Sequence, residues 1–204
     1  MMATPARWPA RLAEALARWG ACLAEALARR RVALGFVCGA LVFWLAKPTG
    51  TTLVAGTAIA IAGECLRMWA SGHLNKAREV TVSGPYRWSA HPLYVGSTVM
   101  GAGLAVASNS VTVAVVIALY LTVTLTAAIK NEEAFLRRTF GDRYDRYRHE
   151  RPAVADEDAR RQFSLAQAMA NREHRALAGL AAAVLLLVLK ATYNGSFWRA
   201  AGPH

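Results

Sequence analysis

Val111–Ile129 reads VTVAVVIALYLTVTLTAAI, with no charged side chain. A soluble surface helix needs a polar face, and this stretch has none. Its length suits a helix across a hydrocarbon core, which takes about 20 residues. Four more apolar runs surround it: Val32–Ala46, Thr51–Ala70, Pro92–Ala107 and Ala176–Tyr193. The runs at 32 and 92 are short, so flanking helix or local bilayer thinning must complete them. The pattern predicts an all-α polytopic membrane protein with about five transmembrane helices.

Charge sorts between the connections. Arg7, Arg11, Arg18, Arg29, Arg30 and Arg31 precede the first run, and Lys76, Arg78 and Arg87 follow the second. Lys130 and ten arginines from Arg137 to Arg175 follow the fourth. The other connections hold only Lys47, and the C-terminal tail only Arg199. Positive charge favours the cytoplasmic side, so five spans predict a cytoplasmic N-terminus and an outside C-terminus in a bacterial-type inner membrane. The net charge of +11 then needs no nucleic-acid partner, and no base-reading module is present.

Residues 1–31 form a predicted amphipathic interfacial helix. Leu-Ala-Glu-Ala-Leu-Ala-Arg occurs at Leu12–Arg18 and again at Leu23–Arg29. An eleven-residue offset keeps both copies on nearly one face. Trp8, Leu12, Leu16, Trp19, Leu23 and Leu27 make an apolar stripe suited to an anionic leaflet or to another protein surface. Cys22, Cys38 and Cys65 show neither metal-ligand nor disulfide spacing, and buried structural roles are expected. No metal site is expected.

Two polar passages carry the candidate chemistry. Ser83-Gly84-Pro85-Tyr86-Arg87-Trp88-Ser89-Ala90-His91-Pro92-Leu93-Tyr94-Val95-Gly96 leads into the third run. Proline suits a first helical position, and the free N–H groups there favour an anion. Lys130-Asn131-Glu132-Glu133 opens a polar extension of the fourth helix, with Gly141 its expected stop. Adjacent glutamates project about 100° apart on a helix, which suggests different roles. Lys47-Pro48-Thr49-Gly50 predicts a tight helical hairpin. Glu64 and Arg67, three apart, share a face, for mutual pairing or a role beside the site. Gly96, Ser97, Gly101, Gly103 and Ala105 allow close packing in lipid. Asp156 is the expected cap of a helix running unbroken into the last span.

These passages together resemble the isoprenylcysteine carboxyl methyltransferase family, within the wider group that includes phospholipid membrane methyltransferases. The family pattern resembles Gly-x-Tyr…Arg-His-Pro-x-Tyr-x-Gly, then Glu-Glu-x-x-Leu-x-x-x-Phe-Gly-x-x-Tyr-x-x-Tyr. Here it is met by Gly84, Tyr86, His91, Pro92, Tyr94 and Gly96, then Glu132, Glu133, Leu136, Phe140, Gly141, Tyr144 and Tyr147. The match covers residues 65–152 of a single methyltransferase-like domain, 32–204.

The resemblance implies an S-adenosylmethionine-dependent methyltransferase acting at the bilayer on a lipidic or small hydrophobic acceptor, a prenylcysteine-type carboxylate or an amine. It implies cofactor contacts from Val80, Tyr86, His91, Pro92, Leu93, Tyr94 and Glu132. Arg87, Lys130, Glu133, Arg172 and Glu173 are candidates for the acceptor side. Ala90 and Ala128 stand where the family has arginines, so the acceptor side departs from its pattern. Membrane sterol-type reductases, which use NADPH, share a His-Pro-Asn-Tyr-x-Gly-Glu pattern. Leu93 and Ser97 replace its Asn and Glu and argue against reduction. A non-catalytic membrane protein retaining the fold is the other alternative.

Overall fold

The computed structural model describes residues 31–75, 79–149 and 162–199. The expected interfacial helix up to residue 30, Lys76, Arg78 and the Asp156 cap lie outside them. The described residues form helices and no strand. They are α1 (Arg31–Leu45), α2 (Gly50–His73), a 3-10 turn (Gly84–Arg87), α3 (Pro92–Ser108), α4 (Val111–Phe140), α5 (Asp142–His149), α6 (Leu165–Ala170), α7 (Glu173–Tyr193) and α8 (Ser196–Arg199). Among the described residues, α2, α4 and α7 are long and apolar enough to cross a membrane, while α1 and α3 are shorter. At about 1.5 Å per residue, the 17 residues of α3 fall short of a full span.

The centre of the bundle is the antiparallel pair α2 and α3, held together by absent side chains. A Cβ on Gly56 would lie 2.3 Å from the Ala107 backbone nitrogen, and one on Gly63 would lie 2.4 Å from that of Met100. Gly96 and Gly103 answer from α3, facing the Gly63 and Gly56 carbonyl oxygens. Both pairs are spaced by seven residues, two turns, so they form one seam. Packing therefore accounts for Gly96. By contrast α4 has one buried residue, Val113. Its bare apolar surface is what a lipid-facing helix presents.

Local chemistry sets the ends. Thr49 caps α2 by accepting from the Thr52 N–H, and Thr52 returns the bond. Gly141 ends α4 at a positive φ of 48°, a conformation that suits glycine. The two expected neutral connections meet at one end of the bundle: the Lys47 N–H donates to the Ser108 carbonyl at 2.7 Å. There Lys190 of α7 donates to the Phe43 and Trp44 carbonyls at the end of α1. A cation suits those unpaired carbonyls.

Two expectations fail. The helix entering the last span is not continuous. Ser164 caps α6, and Arg172 sits at φ 64° before α7 starts. The Asn171 amide donates to the Ser71 and Leu74 carbonyls, at 2.9 and 2.8 Å, and draws the chain out of helical register. Cys65 is exposed and Cys38 half-buried, so neither is sealed in a packed core, and Cys22 lies outside the described residues.

Candidate functional site

At the opposite end, the C-terminus of α2, the N-terminus of α3 and the extension of α4 converge. Between α2 and α3, Val80 and Val82 run buried toward the Gly84 turn. Gly84 has φ 58°, and a Cβ there would meet the His73 ring at 2.5 Å. Both the turn and the close approach demand glycine. The Nδ1 of His73 lies 3.1 Å from the Ser83 hydroxyl, holding the passage to α2. Tyr144 and Tyr147 of α5 pack under Val80 and Val82, with Ala90, Leu136 and Phe140 around them. The Tyr147 hydroxyl donates to the Tyr86 carbonyl at 2.8 Å.

These elements enclose a cavity of about 320 Å³, at the small end of ligand sites. Val80, Tyr86, Tyr94 and Glu132 all line it, with Ala90, Asn75, Glu79 and Tyr144 among the rest. His91 caps α3 just behind and stacks on Tyr94, ring centroids 5.7 Å apart. Its Nδ1 is 3.7 Å from Glu132 and its Nε2 3.2 Å from Glu133. Arg148 reaches the same Glu133 oxygen at 3.2 Å. Pro92 is buried at the first position of α3, and Leu93 packs on Ala70, Leu74 and Tyr86.

Burial pulls the His91 imidazole down, but the two glutamates together outweigh it and hold its pKa above the ordinary value. Burial, then Glu132, pushes the Tyr86 hydroxyl far up, so it stays protonated. The different roles expected of the glutamates are partly met: Glu132 lines the cavity and Glu133 pairs with Arg148, yet both hold His91.

A second cluster lies deeper. Arg67 of α2 pairs with Glu64 at 3.4 Å and with Glu173 of α7 at 2.7 Å, and donates to the Ser97 hydroxyl of α3. The expected Glu64–Arg67 pairing is present, and Glu173 joins it. After burial and Glu132, Glu173 is the smallest of the charges that raise the Tyr86 pKa. Arg87, Lys130 and Arg172 are exposed, and none lines the cavity. Among the described residues the lining holds no lysine or arginine. Sequence reasoning missed Asn75, Glu79 and Thr81 as lining residues. They belong to the poorly patterned connection before Gly84.

The phospholipid methyltransferase family profile matches residues 32–143, more than half of the chain. The chain belongs to the phospholipid methyltransferase family. That family falls within the isoprenylcysteine carboxyl methyltransferase-like group. The matched region contains α2, α3 and α4 and all of the cavity lining except Tyr144 and Tyr147. A nickel-cobalt-cadmium resistance protein, NccN, of Alcaligenes xylosoxydans xylosoxydans is 31% identical over 112 residues, 54% of this chain. The chain spans about half (51%) of the length of that curated relative. No solved structure matches this family member.

Proposed function

We propose that this protein is an integral membrane S-adenosylmethionine-dependent methyltransferase, with five transmembrane helices and its site on the cytoplasmic face of a bacterial-type inner membrane. The observation that carries the reading is the cavity at the meeting of α2, α3 and α4, whose lining, Tyr144 and Tyr147 apart, falls in the region matching the family. Its lining suits the cofactor. Glu79 and Glu132 suit a cationic ammonium or sulfonium, and Val80, Phe135 and Leu136 suit a flat apolar ring. S-adenosylmethionine brings a methyl group already activated by its positive sulfur.

The protein's share is then binding, orientation and exclusion of water. Glu132 holds the cofactor's polar end. His91, fixed between Glu132 and Glu133, sets the position of Glu132 and of the Tyr94 ring stacked on it. Tyr86, Pro92 and Leu93 close the wall toward α2. Lining that carries the carboxylates of Glu79 and Glu132 favours an amine acceptor over a carboxylate one. An amine must lose its proton before it attacks, and Glu79, the described lining carboxylate that does not hold the cofactor's polar end, is the candidate to take it. The acceptor is lipidic or small and hydrophobic, and reaches the site sideways from the bilayer. Glu133, held by His91 and Arg148, and Glu173, held by Arg67, are not among the lining residues, and Ala90 leaves room where a family arginine would stand.

Two other readings have less support. Family membership favours methyl transfer over NADPH-dependent reduction. The relative's name refers to metal resistance, but among the described residues no group of three His, Cys, Asp or Glu is placed to hold an ion. Titration calorimetry of the full-length protein in nanodiscs with S-adenosylhomocysteine tests the proposal. Wild type should bind, and Glu132→Gln should bind about tenfold more weakly or worse, given the worth of a charged hydrogen bond. Wild type that binds NADPH and not S-adenosylhomocysteine would refute it.

A further inference from the structure

Tyr144 and Tyr147 stand three apart on α5 and share a face. Both are buried, at 1% and 2% exposure. Their hydroxyls differ. That of Tyr147 is used inside the protein, on the Tyr86 carbonyl. That of Tyr144 is fully buried and makes no hydrogen bond. An unpaired buried hydroxyl is destabilising, and a phenylalanine would fill the same space without that cost. Tyr144 also lines the cavity.

The rest of the lining explains what such a group is for. Glu79 and Glu132 can only accept hydrogen bonds while ionised. The Asn75 side-chain amide already donates to Glu79 at 3.1 Å, and its backbone N–H donates to the Thr81 hydroxyl at 3.3 Å. Thr81, Tyr86 and Tyr94 bring further hydroxyls to the lining, but among the described lining residues the Tyr144 hydroxyl is the buried one that makes no hydrogen bond. We propose that the Tyr144 hydroxyl is a ligand-binding donor of this cavity, holding an acceptor oxygen of the bound methyl donor. This rests on the cofactor reading above. Burial, with the Glu133 charge, holds the Tyr144 pKa above the ordinary tyrosine value, so the donor keeps its proton at neutral pH.

Tyr144→Phe in the full-length protein separates this role from a structural one. Titration with S-adenosylhomocysteine should show affinity about 3- to 10-fold weaker, the range for one neutral hydrogen bond. The melting temperature of the ligand-free variant should hold or rise. Tyr147→Phe should behave oppositely in the melt, falling because the Tyr86 carbonyl loses its donor. Wild-type affinity in Tyr144→Phe, or a lowered melting temperature, overturns the proposal while leaving the cofactor reading standing. Failure of wild type to bind the probe overturns both.

Discussion

The His91 cluster and the Arg67 cluster each set two glutamates around a central basic side chain, in opposite surroundings. The His91 cluster sits on the polar extension of α4. Glu132 is 37% exposed there and Arg148 35%. The Arg67 cluster lies inside the α2 span, where the Glu64 and Glu173 side chains are 5% and 6% exposed. One can exchange partners with water and ligand. The other has exchanged water for a single guanidinium shared by three helices. A site that binds and releases a ligand needs the first kind of environment. A joint that fixes α7 against α2 and α3 needs the second. Tyr86 feels charge from both, more from Glu132 than from Glu173.

Breaking the buried cluster should have the largest effect. Arg67→Met keeps much of the stem but leaves two buried carboxylates without their cation. Removing one partner of a buried ion pair costs about 3–5 kcal/mol. The variant should lose monodisperse folded protein in detergent size-exclusion runs. Adding Glu64→Gln and Glu173→Gln should restore much of it, because the stranded charges are then gone. Arg67→Met melting like wild type would show that the cluster is not the joint described.

Legibility in the sequence follows the same division. Elements set by local rules were readable: the Lys47–Gly50 break, proline opening α3, and α4 running past its apolar stretch to Gly141. Glu64 and Arg67 were readable as a pair because both lie on one helix. Glu173 as their third member was not, since it comes from a distant helix and nothing local marks the contact. The same holds for Lys190, whose partners are carbonyls on α1, and for Asn171, whose bonds to α2 interrupt a helix that periodicity alone would continue. In the site, Val80, Tyr86, Tyr94 and Glu132 were legible through motif words and do line one cavity. The unpaired state of the Tyr144 hydroxyl was invisible, because only the packed structure shows which donors are already spent.

The two clusters should also differ in their response to pH. Arginine does not titrate in the working range, whereas His91 does, and its folded pKa is raised by Glu132 and Glu133 against the pull of burial. A raised histidine pKa means the folded state holds the proton more tightly than the unfolded chain. The stabilisation is fully present below the ordinary value of about 6.5 and is lost as pH climbs through the folded pKa. Wild type should therefore melt lower at pH 9 than at pH 6. His91→Gln should flatten that difference, by an amount on the order of 1 kcal/mol for partly exposed pairs. An unchanged pH slope in His91→Gln would mean the imidazole is not held as described.

The exposed pair Arg137–Asp145, at 3.3 Å and about half exposed on both sides, gives the smallest effect. It joins α4 to α5 at the rim of the same polar end. Two long side chains lose rotamer freedom to meet there, and water screens their attraction. Such pairs are worth roughly 0–1 kcal/mol. Asp145→Ala should therefore shift the melting temperature little, and the shift should vanish in high salt. A loss as large as that of Arg67→Met would mean that α5 is held by charge. Its anchoring by the buried Tyr144 and Tyr147 rings predicts the opposite, with the rim charges free to change while the rings stay.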